Sequence, residues 1–312
     1  MNEIKLYDNK IYIPSTWKYC DFKLSCNQLS QIITTLKCNY KEQIDKIQAS
    51  TNEIKIINEI NNNSESILDY YMPILNNNSW IIEKYEVLVR LKLKEKIIAP
   101  LQFLPLIKST PLETKVSKII LNKAIKTLKE NPWIQLSINI TSNDLMNNNY
   151  INYMKNKLID NNIWKNRLNV ELLESISNIN NNLDLEQIVE IFNSFWVNVF
   201  IDDLWTWNSN INRLLNVKNI HSVKIDWWII QWLSENNLEW ESNENKLKRI
   251  EKAKEIITLI VQIAENQDPK QKVIAEYVSN KYIFETVKKL WVHYSQWYYI
   301  WKASKNLFLK NK

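Results

Sequence analysis

A chain of 312 residues that is 45% hydrophobic and carries a formal net charge of +6 is long enough for one large α/β barrel or two ordinary domains. Its 34 acidic residues, interspersed among 40 basic ones, exclude a DNA-binding signature, while the mild basic excess favours an anionic ligand. No apolar run approaches the roughly 18 residues of a membrane span, the opening Met1–Lys5 lacks signal-peptide order, and Cys20, Cys26 and Cys38 lack metal-site spacing, so a cytoplasmic protein with free thiols is expected.

Residues 1–49 read as a separate N-terminal segment of unassigned role. Ile4–Tyr7 and Ile11–Ile13, separated by Asp8-Asn9-Lys10, have the pattern of a short hairpin. A helical pattern follows from about Asn27, in which Ile33, Tyr40, Ile47 and Ile54 are spaced seven apart. That spacing is compatible with a seam joining two chains in a homodimer, or with a helix packed on its own domain. Residues 50–63 are expected to be a linker helix, 64–308 the main domain and 309–312 a tail.

Within 64–308, short β-type runs alternate with helical ones. The predicted strands are Leu68–Leu75, Ile81–Leu91, Ile134–Ile140, Leu168–Leu172, Val197–Ile201, Ser222–Ile225, Lys272–Ala275 and a short one near Val292. The predicted helices are Pro100–Lys108, Leu112–Lys129, Asn143–Ile159, Leu185–Phe195, Lys246–Asn266 and Tyr282–Leu290. Eight strands with intervening helices imply an α/β fold, a TIM-like (β/α)8 barrel. The first two strands lie too close in sequence for a helical crossover, which makes that pair antiparallel and the barrel irregular.

One compositional feature conflicts with any folded protein of this size. The chain has 14 tryptophans and no glycine, where average usage of about 7% would supply roughly 22 glycines. Glycine alone takes φ > 0 without steric cost, and tryptophan stands where tight turns are expected, as in Asp203-Leu204-Trp205-Thr206-Trp207 and Asp226-Trp227-Trp228. Arginine occurs only at positions 90, 167, 213 and 249, and residues with A/T-rich codons dominate. A genetic code in which UGA means glycine, read with UGA as tryptophan, produces this pattern. A truly tryptophan-rich surface, such as one that binds carbohydrate, is the alternative.

Polar residues collect where the strands end. Glu86, Asn139 and Glu171 fall in the second, third and fourth strands, Asp202 and Asp203 follow the fifth, Lys224 lies in the sixth and Glu276 follows the seventh. Catalytic groups converge on the C-terminal rim of such barrels. Carboxylates gathered there need a counter-charge, and hard divalent ions such as Mg²⁺ or Mn²⁺ prefer oxygen ligands.

These residues stand in a series of motifs. Tyr71-Met72-Pro73-Ile74 precedes Glu86-Val87-Leu88 and Arg90; Ser137-Ile138-Asn139-Ile140-Thr141 and Glu171-Leu172-Leu173-Glu174-Ser175 follow. Next come Asp202-Asp203-Leu204-Trp205-Thr206-Trp207, Lys224-Ile225-Asp226-Trp227, Ala275-Glu276-Tyr277-Val278 and Gln296-Trp297-Tyr298. In this order, over about residues 64 to 308, the set resembles the EAL domain, a bacterial signal-transduction family of cyclic di-GMP phosphodiesterases. Trp80, Trp196, Trp205, Trp207, Trp227, Trp291 and Trp297 each fall where that family has glycine.

The resemblance implies hydrolysis of cyclic di-GMP to linear pGpG with two Mg²⁺ or Mn²⁺ ions. Glu86, Asn139, Glu171, Asp202 and Asp203 would hold the metals, Lys224 and Glu276 would position or deprotonate the attacking water, and Arg90, Leu88 and Gln296 would meet the substrate. Glu174 would anchor the loop after Asp203. Departures from the family pattern occur at Met72, Leu204, Asn208 and Tyr277, and about 16 extra residues around 236–248 imply a surface insertion. The other reading is a catalytically silent EAL domain that acts as a cyclic di-GMP receptor or a protein-interaction module; such domains generally lose metal ligands, and here the set is complete.

Overall fold

β-Branched and aromatic runs punctuated by Asn-rich turns set the order of elements along the chain. The computed structural model describes residues 5–7, 10–12, 20–21, 50–163, 166–172, 185–202, 217–234, 242–296 and 298–307. The chain forms two compact units, Met1–Ile56 and Ile57–Lys312. In the first, β1 (Lys5–Tyr7), β2 (Lys10–Tyr12) and β3 (Cys20–Asp21) form a small antiparallel sheet whose register pairs Ile11 with Leu6 on one side and Cys20 on the other. Residues 50–62 are helical (α1), with Ile54 exposed; Ile33, Tyr40 and Ile47 lie outside the described residues.

The second unit runs β4 (Ile67–Asn76), β5 (Ile82–Leu93), β6 (Lys96–Ile98), α2 (Pro100–Ile107), α3 (Pro111–Glu130), β7 (Gln135–Ile140), α4 (Ser142–Leu145), α5 (Asn148–Asp160) and β8 (Leu168–Leu172). It continues with α6 (Leu185–Asn193), β9 (Asn198–Ile201), β10 (Ser222–Ile225), α7 (Trp227–Gln231), α8 (Asn243–Glu265), β11 (Lys272–Ala275), α9 (Lys281–Lys289) and β12 (Tyr294–Gln296). Eight of these strands close a barrel in the order β4, β12, β11, β10, β9, β8, β7, β5 and back to β4, while β6 extends β5 outside it. The fold is therefore a TIM-like (β/α)8 barrel. Only β4 is reversed: it pairs antiparallel with both β5 and β12, and every other neighbouring pair in the barrel is parallel. The loop Asn77–Ile81 is too short for the crossover that a parallel pair requires.

Strand alternation divides the side chains between two cores. Outward residues such as Ile138, Val170, Val199, Val223 and Val273 are buried beneath the helices, whose apolar stripes include Val116, Ile120, Ala124 and Leu128 of α3. Ile74, Phe200, Ile274 and Tyr294 pack together in the barrel interior. Above this plug, the inward positions become polar.

Some elements differ from their sequence patterns; β3 and β6 are not among the expected strands. The single helix expected over Asn143–Ile159 is two, because Thr141 and Asp144 form a capping box on α4 and the Asn147 side chain accepts from Tyr150 N to start α5. The last strand begins at Tyr294, two residues beyond Val292. The short α7 carries too few residues for a periodic signal; the Asp226 side chain caps it by accepting from Trp228 N. Of the expected insertion, residues 243–248 open α8, and 236–241 lie outside the described residues.

The backbone itself bears on the tryptophans. Trp80, Trp196 and Trp291 have φ of 60°, 62° and 63°, and Tyr277 has 58°. Such values are outliers for bulky side chains. Trp196 and Trp291 follow α6 and α9 where Val197 N bonds Phe192 O and Val292 N bonds Val287 O, the Schellman closure that favours glycine at this residue.

Candidate active site

Register brings the polar inward positions to one end of the barrel. Glu86 lies beside Ser137 between β5 and β7, Asn139 beside Glu171 between β7 and β8, and Lys224 beside Ile274 between β10 and β11. Asp202 follows β9, with its backbone N bonded to Leu172 O, and Glu276 follows β11, with its N on Ile225 O. Gln296 ends β12. All belong to the C-terminal ends of the parallel strands, the catalytic face of this architecture.

Lys224 occupies the centre. Its Nζ, 1% exposed, lies 2.6 Å from Glu276 Oε1, 2.8 Å from Glu171 Oε2, 3.3 Å from Asp202 Oδ1 and 3.5 Å from Glu86 Oε2. Asn139 Nδ2 donates to Glu86 Oε1 at 3.1 Å, and Gln296 Nε2 donates to Glu86 Oε2. Ser137 Oγ donates to Glu171 Oε1. Ser137 was not among the candidate residues, although it stands two positions before Asn139 on the same strand face; that spacing alone could have singled it out.

Burial opposes the charge on Lys224, but the carboxylates of Asp202, Glu171, Glu276 and Glu86 outweigh it and hold the ammonium well above its usual range. Burial likewise works to raise Glu86, yet Lys224 and the hydrogen bonds from Gln296 and Asn139 bring it below the ordinary carboxyl value. Glu171 is pushed up to about 8 by burial and by the charge of Glu86, with Lys224 opposing. Burial also raises Glu276, against Lys224. One ammonium shared among several carboxylates leaves surplus negative charge in a low-dielectric site, which is why Glu171 and Glu276 are shifted upward.

The donors are carboxylate and amide oxygens, the chemistry of a hard divalent ion. Gln296 Oε1 is buried and accepts no hydrogen bond from the described residues, so among them an oxygen donor is left over in the cluster, as a site for such an ion requires. As they stand around Lys224, no three acidic, histidine or cysteine side chains among the described residues are gathered closely enough to hold a metal. Asp203 and Glu174 lie outside the described residues.

Leu88 and Arg90 come next along the strand from Glu86, and the charge of Glu86 still reaches Arg90. They continue β5 past Val87, the last residue paired with β7, on the arm that β5 forms with the reversed β4. Arg90 Cζ is 5.6 Å from the Tyr70 ring centroid, and one guanidinium nitrogen bonds Val89 O at 2.9 Å. Alternation places Glu86, Leu88 and Arg90 on one strand face. Met72, opposite Glu86 in the register, is buried.

The model of the EAL domain family matches residues 58–303. The chain belongs to the EAL domain family. Among solved structures, the EAL enzyme Bd1971 in its cAMP- and cyclic-di-GMP-bound form is similar, with a TM-score of 0.69 and 19% identity over 90% of this chain and 74% of that one. The FimX EAL domain from Pseudomonas aeruginosa bound to c-di-GMP gives 0.67 and 19%, over 81% and 97%. An EAL domain protein from Listeria monocytogenes EGD-e gives 0.65 and 24%, over 82% and 94%. At these identities the likeness shows the fold alone. No curated protein matches the chain. Among the described residues no helix is long and apolar enough to cross a membrane.

Proposed function

We propose that this EAL domain, placed at residues 64–308, is a cytoplasmic phosphodiesterase that opens cyclic di-GMP to linear pGpG. EAL domains are generally cyclic di-GMP phosphodiesterases dependent on divalent metals. The observation that carries the reading for this chain is the ring of Glu86, Asn139, Glu171, Asp202 and Glu276 around Lys224 at the barrel mouth. Glu86, Asn139, Glu171, Asp202 and Asp203 would hold Mg²⁺ or Mn²⁺. Bound there, a pair of such ions would supply an acidified water and positive charge against the phosphodiester oxygens. Glu276, held at the barrel mouth by Lys224, would accept the proton of the attacking water. Lys224 keeps Glu276 and Glu171 in place and offsets their charge. Leu88, Arg90 and Gln296 orient the dinucleotide, and Glu174 anchors the loop after Asp203.

Chromatography of cyclic di-GMP incubated with the full chain tests this. The expected product is pGpG, formed with Mg²⁺ or Mn²⁺ and abolished by a chelator; turnover undiminished in chelator overturns the metal reading. Met72 and Tyr277, which replace a family glutamine and glycine, bear on binding affinity and leave the metal set intact; in the receptor reading cyclic di-GMP binds and is recovered intact.

We also infer that tryptophans of the written chain are glycine in the protein made by its own cell. The left-handed backbone of Trp80, Trp196 and Trp291 supports this. Peptide mass spectrometry of the native protein decides it: tryptophan masses at 80, 196 and 291 reject recoding.

A further inference from the structure

Tyr277 combines an unfavourable backbone with a place on the functional rim. It follows Glu276 directly, and its φ of 58° costs a tyrosine what it would not cost a glycine. Among the described residues it is the one aromatic with positive φ that is not tryptophan, so a misread codon does not account for it. The turn is fixed from outside: Gln231 Nε2 donates to Tyr277 O at 3.1 Å, Val278 N bonds Gln296 O at 3.1 Å and Tyr299 N bonds Val278 O at 3.2 Å. The side chain is half-buried, and its ring centroid lies 5.8 Å from that of Trp227, the first residue of α7, at an interplanar angle of 52°. This puts an aromatic face between the loops that follow β10 and β11, beside the strand ends that carry Lys224 and Glu276.

Strain of this kind persists where surrounding structure over-determines it, and it gathers at ligand clamps. The ligand's chemistry narrows the role. In a cyclic dinucleotide the phosphodiesters must reach the carboxylate cluster, which leaves the purine bases to meet the rim around it. A purine presents a flat π-face, and an aromatic side chain is its sequence-tolerant partner.

We propose that Tyr277 is a stacking platform for one guanine base of cyclic di-GMP and so sets substrate affinity; this deepens the phosphodiesterase reading and rests on it. A glycine at Trp227 leaves the platform in place and removes only the neighbouring indole. The test uses the full chain carrying whichever residue mass spectrometry finds at each tryptophan position, with Tyr277→Leu, Tyr277→Gly and Tyr277→Phe. Loss of one base–aromatic stack raises KM about tenfold in the Leu and Gly variants with kcat within about twofold, and Phe restores most of the lost affinity. Tyr277→Gly melts no lower than the parent, because it relieves the turn. An unchanged KM in Tyr277→Gly while the parent hydrolyses cyclic di-GMP overturns the platform and spares the enzyme reading. A parent that binds cyclic di-GMP without hydrolysing it, with Kd weakened about tenfold by Tyr277→Leu, supports the platform and overturns the enzyme. A parent that neither binds nor hydrolyses it overturns both.

Discussion

The two ends of the barrel hold their buried polar groups differently. At the mouth, carboxylates from separate strands converge on Lys224, and Glu86 also accepts from Asn139 and Gln296. Removing Lys224 would leave several carboxylates uncompensated in a dry site. At the opposite end, Lys84 sits on the same face of β5 as Glu86, two residues earlier, 4% exposed, with Nζ 4.2 Å from the Tyr294 ring centroid and 5.9 Å from that of Phe200. Asn198 Nδ2 donates to Asn169 Oδ1 at 2.9 Å, and Ser222 Oγ is buried with no hydrogen-bond partner among the described residues. Arg167 ties that end together by donating to the carbonyls of Leu128, Asn131 and Ile134. The mouth concentrates charge that chemistry can use, while the far end holds polar groups whose only effect is on stability, as a cost at Lys84 and as ties at Arg167. Substitutions should therefore separate the two, with activity lost at one end and stability changed at the other.

The largest effect is expected at the mouth. Asp202→Asn should lower turnover of cyclic di-GMP by more than about 100-fold, beyond the usual cost of losing a group that merely supports a ligand. The melting temperature should move little, since the amide keeps the shape. Turnover within about tenfold of the parent would remove Asp202 from the machinery.

Lys84 gives the converse at the far end. Burial lowers its pKa from 10.5 to about 8, with Lys272 acting in the same direction. Below pH 8 the ammonium is charged in both folded and unfolded chains, and the fold bears its full penalty, roughly 3 kcal/mol. Between pH 8 and 10.5 the unfolded chain binds more protons, so this contribution to stability rises with pH and then levels off. Lys84→Met should stabilise the protein at pH 7 by about 1–3 kcal/mol in urea titrations and remove that rise, with kcat/KM unchanged. A destabilised variant would mean that the contacts with Tyr294 and Phe200 outweigh the cost of burial.

Glu174→Ala returns to the mouth with a smaller effect. A loop anchor that touches no substrate should cost about 10 to 100-fold in metal affinity or activity, seen as a shift in the metal concentration that gives half-maximal rate. Identical titration curves would make Glu174 a solvated surface acid.

How far the sequence revealed all this follows from the same physics. The barrel was legible because strands such as Val197–Ile201 and Ser222–Ile225 are short apolar runs between helical patterns, and their ends matched within a residue or so. Other features escaped it. The break at Asn147 depends on a side chain capping a helix in mid-pattern, which periodicity does not register. At the site, the motif residues on the parallel-strand ends converge, but the central position of Lys224 depends on how the strands close, which no local window contains. Leu88 and Arg90 share the strand face of Glu86 and lie beyond the pairing of β5 with β7, on the arm that β5 forms with β4.

The smallest effect concerns the far-end turns, where the comparison has a built-in control. α5, α6 and α9 all close with the same backbone bond, from Ile163 N to Leu158 O, Val197 N to Phe192 O and Val292 N to Val287 O. The residue at the left-handed position is Asn162 at φ 53° in the first, but Trp196 and Trp291 at 62° and 63° in the others. Asparagine tolerates this conformation because its short side chain bonds locally, whereas a bulky residue pays about 1–2 kcal/mol. Glycine's greater freedom in the unfolded chain takes back part of that gain. In a chain synthesised with tryptophan as written, Trp196→Gly and Trp291→Gly should each stabilise by about 1 kcal/mol in urea titrations, and Asn162→Gly by less. Both indoles are exposed, at 48% and 77%, so little packing is lost with them. Equal effects at all three positions would show that the turns do not discriminate, and the left-handed tryptophans would then lose their force as a sign of recoded glycine.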